Sequence, residues 1–156
     1  MTEVAVIAGS ASDQAIIDKA VSALESYKIS YEVKILSAHR DAEALDEYVK
    51  ASDAEIFICI AGMSAALPGV VAARTKKPVI GVPVSGKIAG GLDALLSTVQ
   101  MPSGIPVATV AVDGAVNAAL LAIQILAVTD EDLAAKLDAK RIADAEKVLA
   151  KDAALQ

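Results

Sequence analysis

Residues 4–13 read VAVIAGSASD, and this stretch decides the fold. Its first half, Val4–Ala8, is a short apolar run in which no polar residue alternates. Such a run is typical of a strand buried on both faces, as in a parallel sheet covered by helices. The glycine, two serines and aspartate that follow predict a tight turn that opens a helix.

The same pattern of strand, turn and helix recurs along the chain. Further apolar runs lie at 31–36, 56–60, 78–82 and 107–112. Alternating strands and helices predict a parallel sheet with right-handed crossovers and helices on both faces. We therefore expect a three-layer α/β/α sandwich around a flavodoxin-like, five-stranded parallel sheet of order 2-1-3-4-5. The expected helices span 14–27, 41–50, 67–74, 92–99 and 115–127.

The composition changes past Thr129, where three acidic residues precede a mixture of charged and apolar residues. We expect a final amphipathic helix that Thr129 caps, with residues 130–132 in its first turn, where the helix dipole favours negative charge. The 156 residues make one domain, with 1–128 as the α/β core and 129–156 as a C-terminal helix. The apolar stripe of this helix must cover its own domain or a neighbouring subunit, and together with a mean hydropathy of +0.53 it favours an oligomer. We expect the helix to dock on a neighbouring subunit.

Charge and composition argue against several functions. The chain has 14 basic and 20 acidic residues and a net charge of -6, without a basic cluster, so nucleic acid is not an expected partner. Aromatic residues are only 3% of the chain, which leaves few stacking surfaces for a flavin or a single strand. No apolar stretch approaches the ~20 residues that cross a bilayer, and no signal peptide is evident, so we expect a cytoplasmic protein without a membrane partner.

Cys59 is the single cysteine and lies inside the apolar run at 56–60. It can form neither an internal disulfide nor a multi-cysteine metal site. We expect a buried, inert thiol and no bound metal.

Candidate functional residues follow the ends of the predicted strands. In an open parallel sheet, ligands bind outside the carboxyl ends of the strands, near the point where strand order reverses. Here those ends lead into 9–13, 37–40, 61–69 and 83–91, where glycine and polar residues concentrate. The sequence therefore predicts one site at this edge.

The first loop holds Ser10, Ser12 and Asp13 immediately before a helix. Backbone N–H groups and the positive end of a helix would stabilise a bound phosphate there. The alternative is that the two serines only cap the helix and that Asp13 occupies its first turn. The loop has neither a GxGxxG nor a Walker pattern, so it specifies no nucleotide cofactor.

The second loop holds Ser37, His39 and Arg40. His39 is the only histidine, and imidazole is the side chain best suited to exchange a proton at neutral pH. Arg40 offers a fixed cation for a phosphate or a carboxylate. A solitary histidine can equally be structural, and that alternative stays open on these residues alone.

The third loop, from Ala61 to Gly69, has no charged residue. Its polar groups are backbone amides and Ser64, and Pro68 is compatible with the first turn of a helix. Such a loop predicts a pocket for a small neutral or anionic fragment, or simply a tightly packed turn.

Taken together and in this order, the loops resemble the 5-(carboxyamino)imidazole ribonucleotide mutases, the PurE family of purine biosynthesis. The resemblance extends from the first strand to about Ala127. The motifs that carry it are Gly9-Ser10-x-Ser12-Asp13, Ser37-Ala38-His39-Arg40, Leu67-Pro68-Gly69, the strand 78–84, Gly91-Leu92-Asp93-Ala94-Leu95-Leu96-Ser97, Gln100-Met101-Pro102 and Asn117-Ala118-Ala119-Leu120-Leu121.

This resemblance implies an isomerase that moves a carboxylate from the exocyclic nitrogen of an aminoimidazole ribonucleotide to ring carbon 4, without metal or cofactor. It also implies a homo-octamer whose sites are completed by adjacent subunits. His39 matches the general acid/base of the family. The implied substrate-binding residues are Ser10, Ser12, Asp13, Ser37, Arg40, Ala61, Gly62, Met63, Ser64 and Leu67.

Ala66 departs from the family pattern, which has a histidine at this point of the third loop. The related carboxylases that use free carbon dioxide also lack that histidine, so direct carboxylation of aminoimidazole ribonucleotide is the alternative activity. A phosphorylated receiver or a flavin carrier on the same fold is not favoured, because Ala61-Gly62 replaces the receiver aspartate and aromatic residues are scarce. A purely structural scaffold is the remaining alternative.

Overall fold

The computed structural model describes every residue from Met1 to Gln156. Strands and helices alternate as the sequence predicts. The strands are β1 (Val4–Ala8), β2 (Tyr31–Ile35), β3 (Ile56–Ala61), β4 (Val79–Pro83) and β5 (Ala108–Thr109), and the helices are α1 (Gln14–Ser26), α2 (Ala42–Ala51), α3 (Leu67–Ala72), α4 (Leu92–Val99), α5 (Ala115–Leu126) and α6 (Glu131–Ala153).

The strands form one parallel sheet in the order β2-β1-β3-β4-β5, which confirms the predicted flavodoxin-like topology. Every residue of β1, β3 and β4 is buried. Val6 of β1 pairs with Val33 of β2 on one side and with Ile58 of β3 on the other. Three central strands of Val, Ile and Ala therefore supply the core, because helices cover both of their faces.

The two edge strands differ from the prediction. Residues in β2 are only half-buried or exposed, and Val33 and Ile35 are among the exposed apolar side chains. β5 has two residues where the apolar run predicted six. Its last hydrogen bond to β4 is from the Val110 amide to the Gly81 carbonyl at 3.1 Å, and the chain then leaves the sheet. The expectation of burial on both faces is wrong for these two strands, which lie at the edges of the sheet and are covered less completely than its centre.

Cys59 lies in β3 and is fully buried, as its apolar surroundings predict. Burial also raises the pKa of its thiol far above the usual range, because a buried thiolate would lose its hydration. The side chain is therefore an apolar part of the core.

The chain divides into two compact units, Met1–Ala122 and Ile123–Gln156. The first holds the whole sheet, and the division falls inside α5. In the second unit, Asp130 caps α6 by accepting a hydrogen bond from the Leu133 amide at 2.9 Å. The predicted cap at Thr129 is wrong, because its hydroxyl faces back to the Leu126 carbonyl. None of the helices is long and apolar enough to span a membrane.

Candidate active site

A cleft of about 1090 Å³ opens at the carboxyl ends of β1 to β4. All four predicted loops contribute to it, because strands that run parallel end at the same edge of the sheet. Each residue predicted for the site lines this cleft: Ser10, Ser12, Asp13, Ser37, His39, Arg40, Ala61, Gly62, Met63, Ser64 and Leu67.

The loop after β1 is a single 3-10 turn over Ala11–Asp13. Ser10 caps this turn, since its hydroxyl oxygen accepts a hydrogen bond from the Ser12 amide at 3.2 Å. The Ser10 and Ser12 hydroxyls lie 2.8 Å apart and pair with each other. The Gly9 amide donates to the Ile60 carbonyl at 3.1 Å, which ties the loop to β3. Ser10 therefore caps the 3-10 turn, whereas the Ser12 hydroxyl only pairs with it, and both serines line the cleft.

Asp13 is the residue that precedes α1, but its carboxylate accepts no capping hydrogen bond from the backbone of that helix. Its side chain is half-buried and lines the cleft. Burial raises the pKa of this carboxyl, and the negative charge of Asp113 raises it further. Both carboxylate oxygens are thus available to a ligand, and the group is harder to ionise than an exposed aspartate.

The loop after β2 holds the guanidinium of Arg40 in a fixed place. Its Nη2 donates to the Gly9 carbonyl at 2.8 Å, and its Nε donates to the Ser37 hydroxyl at 3.3 Å. The same hydroxyl accepts from the Arg40 amide at 3.2 Å. No carboxylate forms an ion pair with Arg40, so its charge is directed at the cleft. His39 is exposed beside it on the cleft wall.

The loop after β3 forms an uncharged wall. Gly62 packs against the residue that follows β4, because a Cβ atom at this position would lie 3.4 Å from Cβ of Val84. Met63 has a φ of 54°, in the left-handed region that side chains rarely adopt, and is 76% exposed. Leu67 and Pro68 open α3 and are buried, with the proline in the first turn as predicted.

The fourth predicted loop, 83–91, forms the fourth wall through residues 84–88, and Asp93 joins it. The sequence analysis singled out no site residue in this wall. Lys87 adds a second cation to the cleft and is exposed. The Oδ1 atom of Asp93 is buried and has no hydrogen-bond partner. A signal that could have singled out residues of this wall is Gly91, at φ 108°, where a Cβ atom would lie 2.9 Å from Cα of Ser85. Only glycine lets α4 begin this close beneath the loop.

Comparisons with known proteins all find relatives in one family. The AIR carboxylase family model matches residues 3–147. The N5-carboxyaminoimidazole ribonucleotide mutase of Methanocaldococcus jannaschii is 54% identical over 149 residues, which cover 96% of this chain and 94% of the relative. The mutase of Mycobacterium tuberculosis is 47% identical over 156 residues, covering 98% and 90%.

Solved structures agree with the sequence relatives. The crystal structure of PurE from Treponema denticola matches with a TM-score of 0.91 and 33% identity, covering 100% of this chain and 99% of the other. A family model that spans almost the whole chain, close relatives and a shared fold confirm the resemblance drawn from the loops. The chain belongs to the AIR carboxylase family, and it is a PurE-type member of it.

Proposed function

We propose that the protein is an N5-carboxyaminoimidazole ribonucleotide mutase of purine (IMP) biosynthesis. It converts 5-carboxyamino-1-(5-phospho-D-ribosyl)imidazole into 5-amino-1-(5-phospho-D-ribosyl)imidazole-4-carboxylate. One observation carries the proposal beyond the relatives' names: a single cleft collects the only histidine, an arginine free of carboxylate partners, the Ser10–Asp13 turn and an uncharged wall. These are the groups that a phosphorylated substrate with a migrating carboxylate requires.

The ribonucleotide binds through its phosphate and ribose at the first two loops. The Ser10 and Ser12 hydroxyls and the Arg40 guanidinium hold the phosphate, since a phosphate accepts hydrogen bonds and pairs well with arginine. Asp13 accepts hydrogen bonds from the ribose hydroxyls. Support comes from the fixed position of Arg40, whose contacts to Ser37 and Gly9 organise its charge before substrate arrives.

His39 moves the protons of the reaction. Protonated His39 donates to the exocyclic nitrogen as the nitrogen–carbon bond of the carbamate breaks, which releases carbon dioxide and leaves a free amine. The electron-rich ring carbon 4 then attacks carbon dioxide, and neutral His39 removes the proton from that carbon. The ring regains its aromaticity, and His39 ends in the form in which it began.

The third loop retains the carbon dioxide between the two steps. Ala61, Gly62, Met63, Ser64 and Leu67 form the retaining wall, which has no charged side chain. Holding gas and ring together replaces a bimolecular encounter by an effectively unimolecular one, which is worth up to about 7–11 kcal/mol of the barrier. Lys87, the second cation of the cleft, is available to the migrating carboxylate.

The carboxyl donor is the sharpest test of this function. Purified protein is given the carbamate substrate without bicarbonate, and in a separate reaction aminoimidazole ribonucleotide with bicarbonate. We expect rapid formation of the 4-carboxylate from the carbamate and slow formation from the second mixture. The opposite result would establish the alternative that Ala66 suggests, direct carboxylation by free carbon dioxide, which the curated mutase relatives do not favour.

Assembly and location complete the proposal. We place the protein in the cytoplasm as a homo-octamer, in which the helix at 129–156 docks on a neighbouring subunit. Exposed apolar side chains on α4 and α6 support an oligomer: Leu92, Leu96 and Val99 lie on one face of α4, and Ile142, Val148 and Leu149 are exposed along α6.

A further inference from the structure

Asp113 lies just outside the cleft and is tied to its fourth wall. Its Oδ1 atom accepts a hydrogen bond from the Ser85 amide at 2.8 Å, and its own amide donates to the Pro83 carbonyl at 2.8 Å. These two bonds clamp the chain at the end of β4, between Pro83 and Ser85. The loop that lines the cleft, residues 84–88, therefore starts from a point that Asp113 fixes.

The backbone at Asp113 adopts an uncommon conformation to make these bonds. Its φ is 58°, in the left-handed region. The next residue is Gly114, where a Cβ atom would lie 2.8 Å from the Ala111 carbonyl oxygen. The Gly114 amide closes the turn on that carbonyl at 2.9 Å. The Ala111–Gly114 turn is thus shaped to present the Asp113 carboxylate to the loop after β4.

The same carboxylate also affects the loop after β1. Its negative charge raises the pKa of Asp13, in addition to the effect of burial. The other charged or titratable side chains that line the cleft are His39, Arg40, Lys87 and Asp93. Asp113 is therefore placed to influence two walls at once, although it was not among the residues that the loops of the sequence suggested.

We propose that Asp113 is a positioning residue: its carboxylate anchors the loop at 84–88 as a wall of the cleft. This inference rests on the proposed function, in which the cleft binds a ribonucleotide and Asp13 contacts its ribose. An ionised carboxylate accepts hydrogen bonds from ribose, whereas a protonated one is a poorer acceptor. Ribonucleotide binding should consequently weaken as the pH falls through the pKa of Asp13.

Two substitutions separate the hydrogen bond to the Ser85 amide from the negative charge of Asp113. Asp113→Asn keeps an acceptor oxygen for the Ser85 amide and removes the charge, and asparagine tolerates a positive φ. Asp113→Gly removes both and leaves the backbone unstrained. Asp53→Asn is the matched control, since it removes a similar charge from an exposed residue at the amino end of β3, away from the cleft.

In the ligand-free protein, NMR measures hydrogen exchange of the Ser85 amide and the titration of the Asp13 carboxyl carbon. We expect Asp113→Gly to lose protection of the Ser85 amide and Asp113→Asn to keep it. Both should lower the pKa of Asp13, because a neighbouring negative charge has been removed. A protected Ser85 amide in Asp113→Gly, or lost protection of that amide in Asp113→Asn, would overturn the proposal.

Kinetics complete the test. For Asp113→Gly we expect KM for the ribonucleotide to rise about tenfold, with a smaller change in kcat. The loop at 84–88 is then no longer anchored, and we expect the substrate to lose the equivalent of about one hydrogen bond to a charged group. For Asp113→Asn, KM should stay near the parent value at neutral pH, and its rise in acid should move to lower pH. Unchanged KM and pH profiles in both variants would refute the positioning role. Failure of the parent to turn over would refute only the proposed function, since the NMR measurements need no substrate.

Discussion

At the scale of single residues, the cleft combines a side chain that hydrogen bonds hold in place, Arg40, with one that is exposed, His39. Arg40 is held by the Ser37 hydroxyl and the Gly9 carbonyl, whereas His39, one position earlier, is exposed on the cleft wall. A fixed cation suits a phosphate that only has to be held. A freer imidazole suits a group that must reach a nitrogen and then a carbon during one turnover.

Replacing His39 by asparagine should separate binding from chemistry. We expect His39→Asn to bind the ribonucleotide with an affinity near that of the parent and to reduce kcat by at least ~100-fold, the low end of an acid/base contribution. Calorimetry measures the binding, and formation of the 4-carboxylate measures turnover. Added imidazole should restore part of the rate, because the protein has no second histidine to compete for that role. Near-normal turnover in the variant would remove His39 from the mechanism.

At the scale of elements, α6 depends on a cap one residue later than its sequence suggests. Asp130→Ala should remove the hydrogen bond to the Leu133 amide and destabilise the start of α6 by about 1 kcal/mol. Hydrogen exchange of the Leu133 amide reports this fraying directly. Thr129→Ala is the matched control and should leave that exchange rate near the parent value. Equal effects of the two substitutions would contradict the cap.

The bounds of a strand or helix were predictable where residues adjacent in sequence determine them. β1 and α4 match their predicted bounds, since an apolar run and a glycine-led helical pattern each fix their own ends. The short length of β5 was not predictable, because the turn at residues 111–114 takes the chain out of the sheet and forms only on folding. Asp113 was missed for the same reason. It accepts a hydrogen bond from Ser85 and its charge raises the pKa of Asp13 only because the folded sheet brings together residues that are distant in sequence.

At the scale of the whole molecule, the exposed apolar face of α4 makes assembly testable. Light scattering at micromolar concentration should return an oligomer for the parent chain. Leu96→Asp should shift the mass towards smaller species, because burying a carboxylate in an apolar contact is costly. Ser97→Asp adds the same charge on the other side of α4 and should not change the mass. A parent chain that is monomeric at this concentration would contradict the octamer.

The sealed position of Cys59 has a practical consequence for studying the molecule in motion. With no other cysteine in the chain and this one buried at the centre of β3, thiol reagents find no reactive partner in the native protein. A cysteine introduced at Met63, which is 76% exposed on the loop after β3, would carry the only accessible thiol. A dye attached there would follow movements of that loop without background labelling and without first removing the native sulfur.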